Sequence, residues 1–116
     1  MVDDNCDAGE ALGALLTIFG LDVRVVLSGR AAIELANAFQ PHLVVLDINM
    51  PGLDGLETAK RLKQQSWSRI ALFVAHTGMQ REATDGTMFA DFHHVLTKGA
   101  SSEALETIVH TLRAST

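Results

Sequence analysis

Short apolar runs alternate with amphipathic stretches along the 116-residue chain. Leu12, Leu15, Leu16 and Phe19 recur at helical spacing and form one face of a first helix, with Asp7 as its expected cap and Gly20 as its stop. Residues 23–27 are a β-branched run and read as a strand. Ser28 is placed to cap a second helix, striped by Ala32, Leu35, Ala36 and Phe39 and stopped by Pro41. Residues 43–46 form the next strand. Asp54 can cap a third helix carrying Leu56, Ala59 and Leu62. Residues 70–75 are a fourth apolar run, ending at His76, Thr77 and Gly78. A weaker helix is expected over 79–90, where Thr84, Gly86 and Thr87 lower the propensity. Val95 and Leu96 make the last strand, and Ser101 caps a final helix with Leu105, Ile108, Val109 and Leu112 on one face.

Strands alternating with helices predict a parallel sheet covered on both faces. Right-handed crossovers leave few topologies. The expected fold is α/β: a flavodoxin-like, doubly wound, five-stranded parallel sheet of order 2-1-3-4-5 in a three-layer sandwich. Its first strand is a stub, because only Met1 and Val2 are available for it. Residues 1–116 form one domain.

Composition narrows the function classes. The apolar fraction is 47%, which argues against disorder. No apolar run approaches the roughly 20 residues of a membrane span, and no signal peptide is visible. The formal net charge of −5 disfavours a broad nucleic-acid surface. Lys60, Arg61 and Lys63 read as a solvated helix face. Cys6 is the only cysteine, which fits a reducing cytoplasm.

Asp47 is the most informative residue. Residues 43–46 run straight into this carboxylate, and Met50-Pro51-Gly52 turns the chain soon after. In open parallel sheets, ligands bind at the carboxyl ends of the strands. Asp3 and Asp4 leave the stub at the same edge; Thr77 and Lys98 end the fourth and fifth strands. Clustered carboxylates raise one another's pKa unless a cation joins them. A hard divalent ion, most simply Mg²⁺, fits such oxygen ligands. A carboxylate beside it can attack a phosphoryl group, with lysine and hydroxyl offsetting charge on the transferred oxygens. Taken singly, Asp47 is a turn acid, Asp3 and Asp4 a solvated loop, Thr77 a turn residue and Lys98 a surface lysine. Their joint placement at four strand ends favours a site.

The pieces VDDN (2–5), LDINMPGLDG (46–55), VAHTG (74–78) and TKG (97–99) together resemble the receiver domain of bacterial two-component response regulators. The resemblance runs from Val2 nearly to the end of the chain. It implies that Asp47 accepts a phosphoryl group from a histidine kinase or a histidine phosphotransfer protein. Asp3, Asp4 and Asp47, with the backbone carbonyl of Asn49, would bind Mg²⁺. Thr77 and Lys98 would contact the phosphoryl oxygens. Movement of Thr77 would reshape the face made by the fourth helix, fifth strand and fifth helix, where a downstream protein target docks. Such a domain is a cytoplasmic signalling switch, not a turnover enzyme, with no nucleic acid or membrane as direct partner.

The chain departs from the family's pattern at three places. Four or five apolar residues are usual before the acid pair, where this chain has two, so a truncated or misassigned start is expected. Lys98 is followed by Gly99 in place of proline; without proline a cis bond costs ~2.5–4 kcal/mol, so a trans bond is expected. Val95 stands where an aromatic is common. These departures support an alternative: a receiver-like interaction module that is not phosphorylated. A phosphatase of the dehalogenase type would want an acid at position 49, which is Asn49. The end of the chain soon after the last helix fits a stand-alone receiver or one cut from a larger protein. Among other residues, His93 and His94 cannot easily share one ion on a strand. His76 and Trp67 read as structural, Cys6 as a small buried residue, and Met79 as a shield against water.

Overall fold

The computed structural model describes residues 1–50, 52–78, 89–98 and 102–114. Helix α1 spans Cys6–Ile18 and α2 spans Gly29–Phe39; strand β1 is Leu43–Asp47 and α3 is Gly55–Leu62. A 3₁₀ turn, Ser66–Ile70, leads into β2 (Leu72–Thr77), then β3 (His94–Thr97) and α4 (Ser102–Ala114). Among the described residues the sheet has three strands in the order β1-β2-β3, all parallel. Val45 lies opposite Val74, and Ala75 opposite Val95.

Alternation along the strands builds the two faces of the sheet. Val44, Leu46 and Phe73 pack with Ala32 and Ala36 of α2 and Ala59 and Leu62 of α3. Val45, Val74 and Leu96 point the other way, into Leu16 of α1 and Leu105, Ile108 and Val109 of α4. Helices therefore cover both faces, giving the flavodoxin-like three-layer arrangement.

Two expected strands are reduced to one rung. Val2 makes isolated parallel bridges with Val26 on one side and Leu46 on the other. The run over 23–27 forms no strand because only Val2 is there to pair with it. The fourth apolar run also shifts: Ile70 ends the 3₁₀ turn at 76% exposed, and the strand carries on through Thr77. Ser68 holds that turn by donating its hydroxyl to Gln65 O at 2.7 Å.

The helix caps follow short polar side chains. Ser28 accepts from Ala31 N at 3.1 Å and Asp54 from Glu57 N at 2.9 Å, as expected. The cap of α1 is Asn5 and not Asp7: the Asn5 side chain accepts from Ala8 N at 3.1 Å. Gly20, at φ +92°, follows the end of α1, and Gln40, at φ 50°, ends α2 ahead of Pro41. The helix expected over 79–90 lies outside the described residues except for Phe89 and Ala90, which form a turn. Met79, Gly99 and the Ser101 cap also lie outside them.

Candidate functional site

The strand ends bring the expected residues together. Asp3 follows the Val2 rung, whose N–H donates to Val45 O and whose carbonyl accepts from Asp47 N, both at 2.8 Å. That pair of bonds ties Asp3 to the end of β1. Asp3, Asp4 and Asp47 each offer a carboxylate oxygen within 4.8 Å of the others. Asp3 and Asp47 are buried, and Asp4 is exposed. Lys98, just past β3, puts Nζ 3.2 Å from Asp47 Oδ1. Thr77 is buried at the end of β2, and its carbonyl accepts from Lys98 N at 2.7 Å. Asn49 is exposed, and its backbone N–H donates to Asp47 Oδ1 at 3.3 Å. Asp3, Asp4, Asp47, Thr77 and Lys98 thus lie together at one edge of the sheet.

Asp3 supplies the test of whether a cation fits. Its Oδ1 accepts from Asn5 N at 2.9 Å, while its buried Oδ2 has no hydrogen-bond partner among the described residues. A buried carboxylate oxygen without a partner is costly. It lies beside two further carboxylates, and among the described residues the ion pair of Lys98 is with Asp47. A hard divalent ion with oxygen ligands satisfies the orphaned atom and the excess negative charge together. The donor set fits Mg²⁺.

Several contributors were not visible as site residues. Gly55 opens α3 against the end of β1: a Cβ there would collide with Asp47 O and lie 2.8 Å from Ile48 Cα. Only glycine lets the helix approach the Asp47 backbone this closely. The Asp54-Gly55 pair after the turn was its sequence signal. Gly9 does the same for α1, where a Cβ would lie 3.3 Å from Asp3 Cβ. His76 stands opposite Asp47 in the β1–β2 register, and its buried Nδ1 also lacks a partner among the described residues. Burial, then the Lys98 charge, lowers its pKa against the opposing pull of Asp3 and Asp47.

Cys6 is exposed, not buried, with Sγ 3.5 Å from Glu10 Oε1. That hydrogen bond to a carboxylate is the main cause raising its pKa. His93 has a structural role: its Nδ1 accepts from Phe73 N at 2.9 Å and its N–H donates to Phe73 O at 2.8 Å. Trp67 stacks on Phe73 with ring centroids 6.2 Å apart. Lys60, Arg61 and Lys63 are exposed, in keeping with a solvated face.

A family model for the response regulator receiver domain matches residues 1–110. The chain belongs to the response regulator receiver family. The receiver is 34% identical over 105 residues to the uncharacterized transcriptional regulatory protein YrkP of Bacillus subtilis, covering 90% of this chain and 44% of that protein. It is 29% identical over 94 residues to protein-glutamate methylesterase/protein-glutamine glutaminase 2 of Rhodopseudomonas palustris, covering 81% of this chain and 26% of that one. The receiver thus spans less than half the length of either relative. A CheY-like receiver domain from Methylobacillus flagellatus has a TM-score of 0.87 at 26% identity, over 96% of this chain and 93% of that one. Chemotaxis protein CheY4 of Vibrio cholerae has a TM-score of 0.86 at 22% identity, over 96% and 93% respectively, a likeness of fold. Membership ties the receiver to two-component signalling. Among the described residues, no helix is long and apolar enough to cross a membrane.

Proposed function

We propose that this receiver is a phosphoacceptor switch, phosphorylated on Asp47 by a histidine kinase or a histidine phosphotransfer protein. The observation that carries this reading is the lysine ammonium 3.2 Å from a buried aspartate that shares its site with two more carboxylates. An Asp47 carboxylate oxygen forms the new bond to phosphorus as the bond from phosphorus to the donor imidazole nitrogen breaks. The imidazole keeps the bonding electron pair. Asp3, Asp4, Asp47 and the backbone carbonyl of Asn49 would hold Mg²⁺, whose chemistry here is to neutralise charge on the transferred oxygens. Lys98 Nζ faces the same oxygens from the β3 side, and the Thr77 hydroxyl binds one of them.

Around this site, residues 23–27, the Met1–Val2 stub, β1, β2 and β3 correspond to a sheet of order 2-1-3-4-5. The signalling surface, where a downstream protein docks, includes β3 and α4. The receiver works in the cytoplasm and does not turn over a substrate. Intact-mass measurement after incubation with acetyl phosphate and Mg²⁺ tests the reading. A gain of one phosphoryl group is expected for the native chain and none for Asp47→Asn; an unmodified native chain would favour the interaction module.

A further inference from the structure

Where β3 joins β2, a side chain takes the place of a backbone group. The parallel ladder is regular from Val74 opposite His94 to Thr77 opposite Thr97. Odd-numbered residues of β2 face β3: Thr77 O accepts from Lys98 N at 2.7 Å. The Phe73 N–H and C=O therefore face the same side. His93 meets both. Its backbone N–H donates to Phe73 O at 2.8 Å, and its ring Nδ1 accepts from Phe73 N at 2.9 Å. A continued parallel ladder would offer a backbone carbonyl to that amide. Residues 89–91 turn the chain instead, and Phe92 N–H donates to Phe89 O at 3.0 Å.

This makes the end of the ladder depend on charge. An imidazole nitrogen accepts a hydrogen bond only while it carries no proton, so the ring is neutral and holds its proton on Nε2. In the imidazolium form both nitrogens are donors, and Nδ1–H would face Phe73 N–H. Phe73 is fully buried, so its amide has no water to turn to. His93 is exposed, so its ring meets solvent protons directly. It tilts over the Phe73 ring at a centroid distance of 6.5 Å, and Lys63 at the end of α3 holds Nζ 5.2 Å from the same ring. Burial, then the charges of Lys63 and His94, lowers the His93 pKa from its usual 6.5. Asp91 is the nearest carboxylate along the chain, and β2 presents apolar Phe73.

We propose that His93 is a pH-sensitive latch: neutral, its ring holds the turn at 89–92 against β2; protonated, it lets go of Phe73 and frees that turn. Packing sets what the latch controls. Phe89 and Phe92 meet edge to face with ring centroids 6.3 Å apart. Phe92 packs against both the cluster around Phe73 and the cluster of Ile48, Ala75 and Phe89. Ile48 follows Asp47, and β3 leads on to Lys98. Release therefore loosens the entry to β3 and the apolar packing beside the acid cluster, while β2 stays paired to β1. Because the fold favours the neutral ring, the latch's contribution is present above pH 6.5 and is lost as the pH falls below it.

The test follows hydrogen exchange of the Phe73 amide by NMR in the full chain while the His93 ring titrates, with rates normalised to those of an unstructured chain at each pH. Between about pH 7.5 and about pH 5, Phe73 protection is expected to fall by roughly tenfold or more in step with His93. Protection of the neighbouring Leu72 amide, which donates to His42 O at 2.9 Å on the β1 side, should change little. In His93→Asn, whose side-chain oxygen takes the place of Nδ1 and does not titrate, Phe73 protection should be independent of pH. In His93→Ala it should be low throughout. A Phe73 amide equally protected on both sides of the His93 titration, a pH response retained in His93→Asn, or a neutral ring protonated on Nδ1 would each overturn the proposal. Neither phosphorylation nor a metal enters the measurement, so the outcome is independent of the function proposed above.

Discussion

Lys98 Nζ lies 3.2 Å from Asp47 Oδ1, a contact between a lysine side chain 43% exposed and a carboxylate 1% exposed. The lysine offsets a charge that the burial of Asp47 makes costly. Its own exposure to solvent screens the attraction. Lys98→Met should therefore destabilise the protein by about 1 kcal/mol in the absence of divalent ions. In an Asp47→Asn background the same change should cost close to nothing. Urea denaturation of the four proteins in chelator checks this; equal costs in both backgrounds would refute the coupling.

Asp3 should behave oppositely with and without metal. Asp3→Asn removes one charge from the three-carboxylate group, so in chelator it should match or exceed native stability. The gain from Mg²⁺ should largely vanish in the variant. For the native chain at an ion concentration 100 times the dissociation constant, that gain is about 2.7 kcal/mol. Thermal denaturation with and without Mg²⁺ measures both effects.

Gly55→Ala should destabilise by roughly 1–3 kcal/mol or more, because the atoms that block the new methyl are backbone atoms of Asp47 and Ile48. Displacing α3 also moves the end of β1. The variant should thus be phosphorylated more slowly than the native chain even at temperatures where it remains folded. Circular dichroism melts together with phosphorylation time courses separate the two effects.

The Met1 amine predicts a pH dependence. Burial lowers its pKa from 8.0 to about 6 in the folded state. The unfolded chain therefore binds the proton more readily, and stability rises with pH between about 6 and 8. The penalty is fully present below pH 6 and amounts to at most about 2–3 kcal/mol. His76 and His93 have pKa values lowered mainly by burial, so they add a slope of the same sign. Acetylation of the amine should remove its share and leave theirs, as read from urea midpoints across this range.

Much of the architecture was legible because burial imposes simple periods. Leu16 of α1 and residues 44–46 are buried as their spacing demands, and Ser28 and Asp54 cap as short polar side chains should. Local preference alone could not choose between Asn5 and Asp7, since both residue types cap well and the approach of the chain selects Asn5. The β-branched run at 23–27 failed as a strand for a tertiary reason: pairing needs a partner, and Val2 offers one rung. At the site, the charged side chains were readable as strand-end chemistry. The close approaches at Gly9 and Gly55 were not, because they depend on how helices pack on strands.

Thr77→Ala tests the hydroxyl. The side chain is buried at the end of β2, and the variant keeps Cβ while removing the group assigned to a phosphoryl oxygen. Phosphorylation by acetyl phosphate should slow by roughly tenfold or more, with Thr77→Ser retaining most of the rate. Equal rates in all three proteins would remove Thr77 from the site.

The proposed switch stands or falls with Asp47 as the residue that takes the phosphoryl group. Peptide mapping by mass spectrometry after reaction with acetyl phosphate and Mg²⁺, followed by borohydride trapping of the acyl phosphate, reads it directly. A single modified residue, Asp47, is expected, with the signal lost in chelator and in Asp47→Asn. An unmodified Asp47, or modification at Asp3 or Asp4 instead, would contradict it.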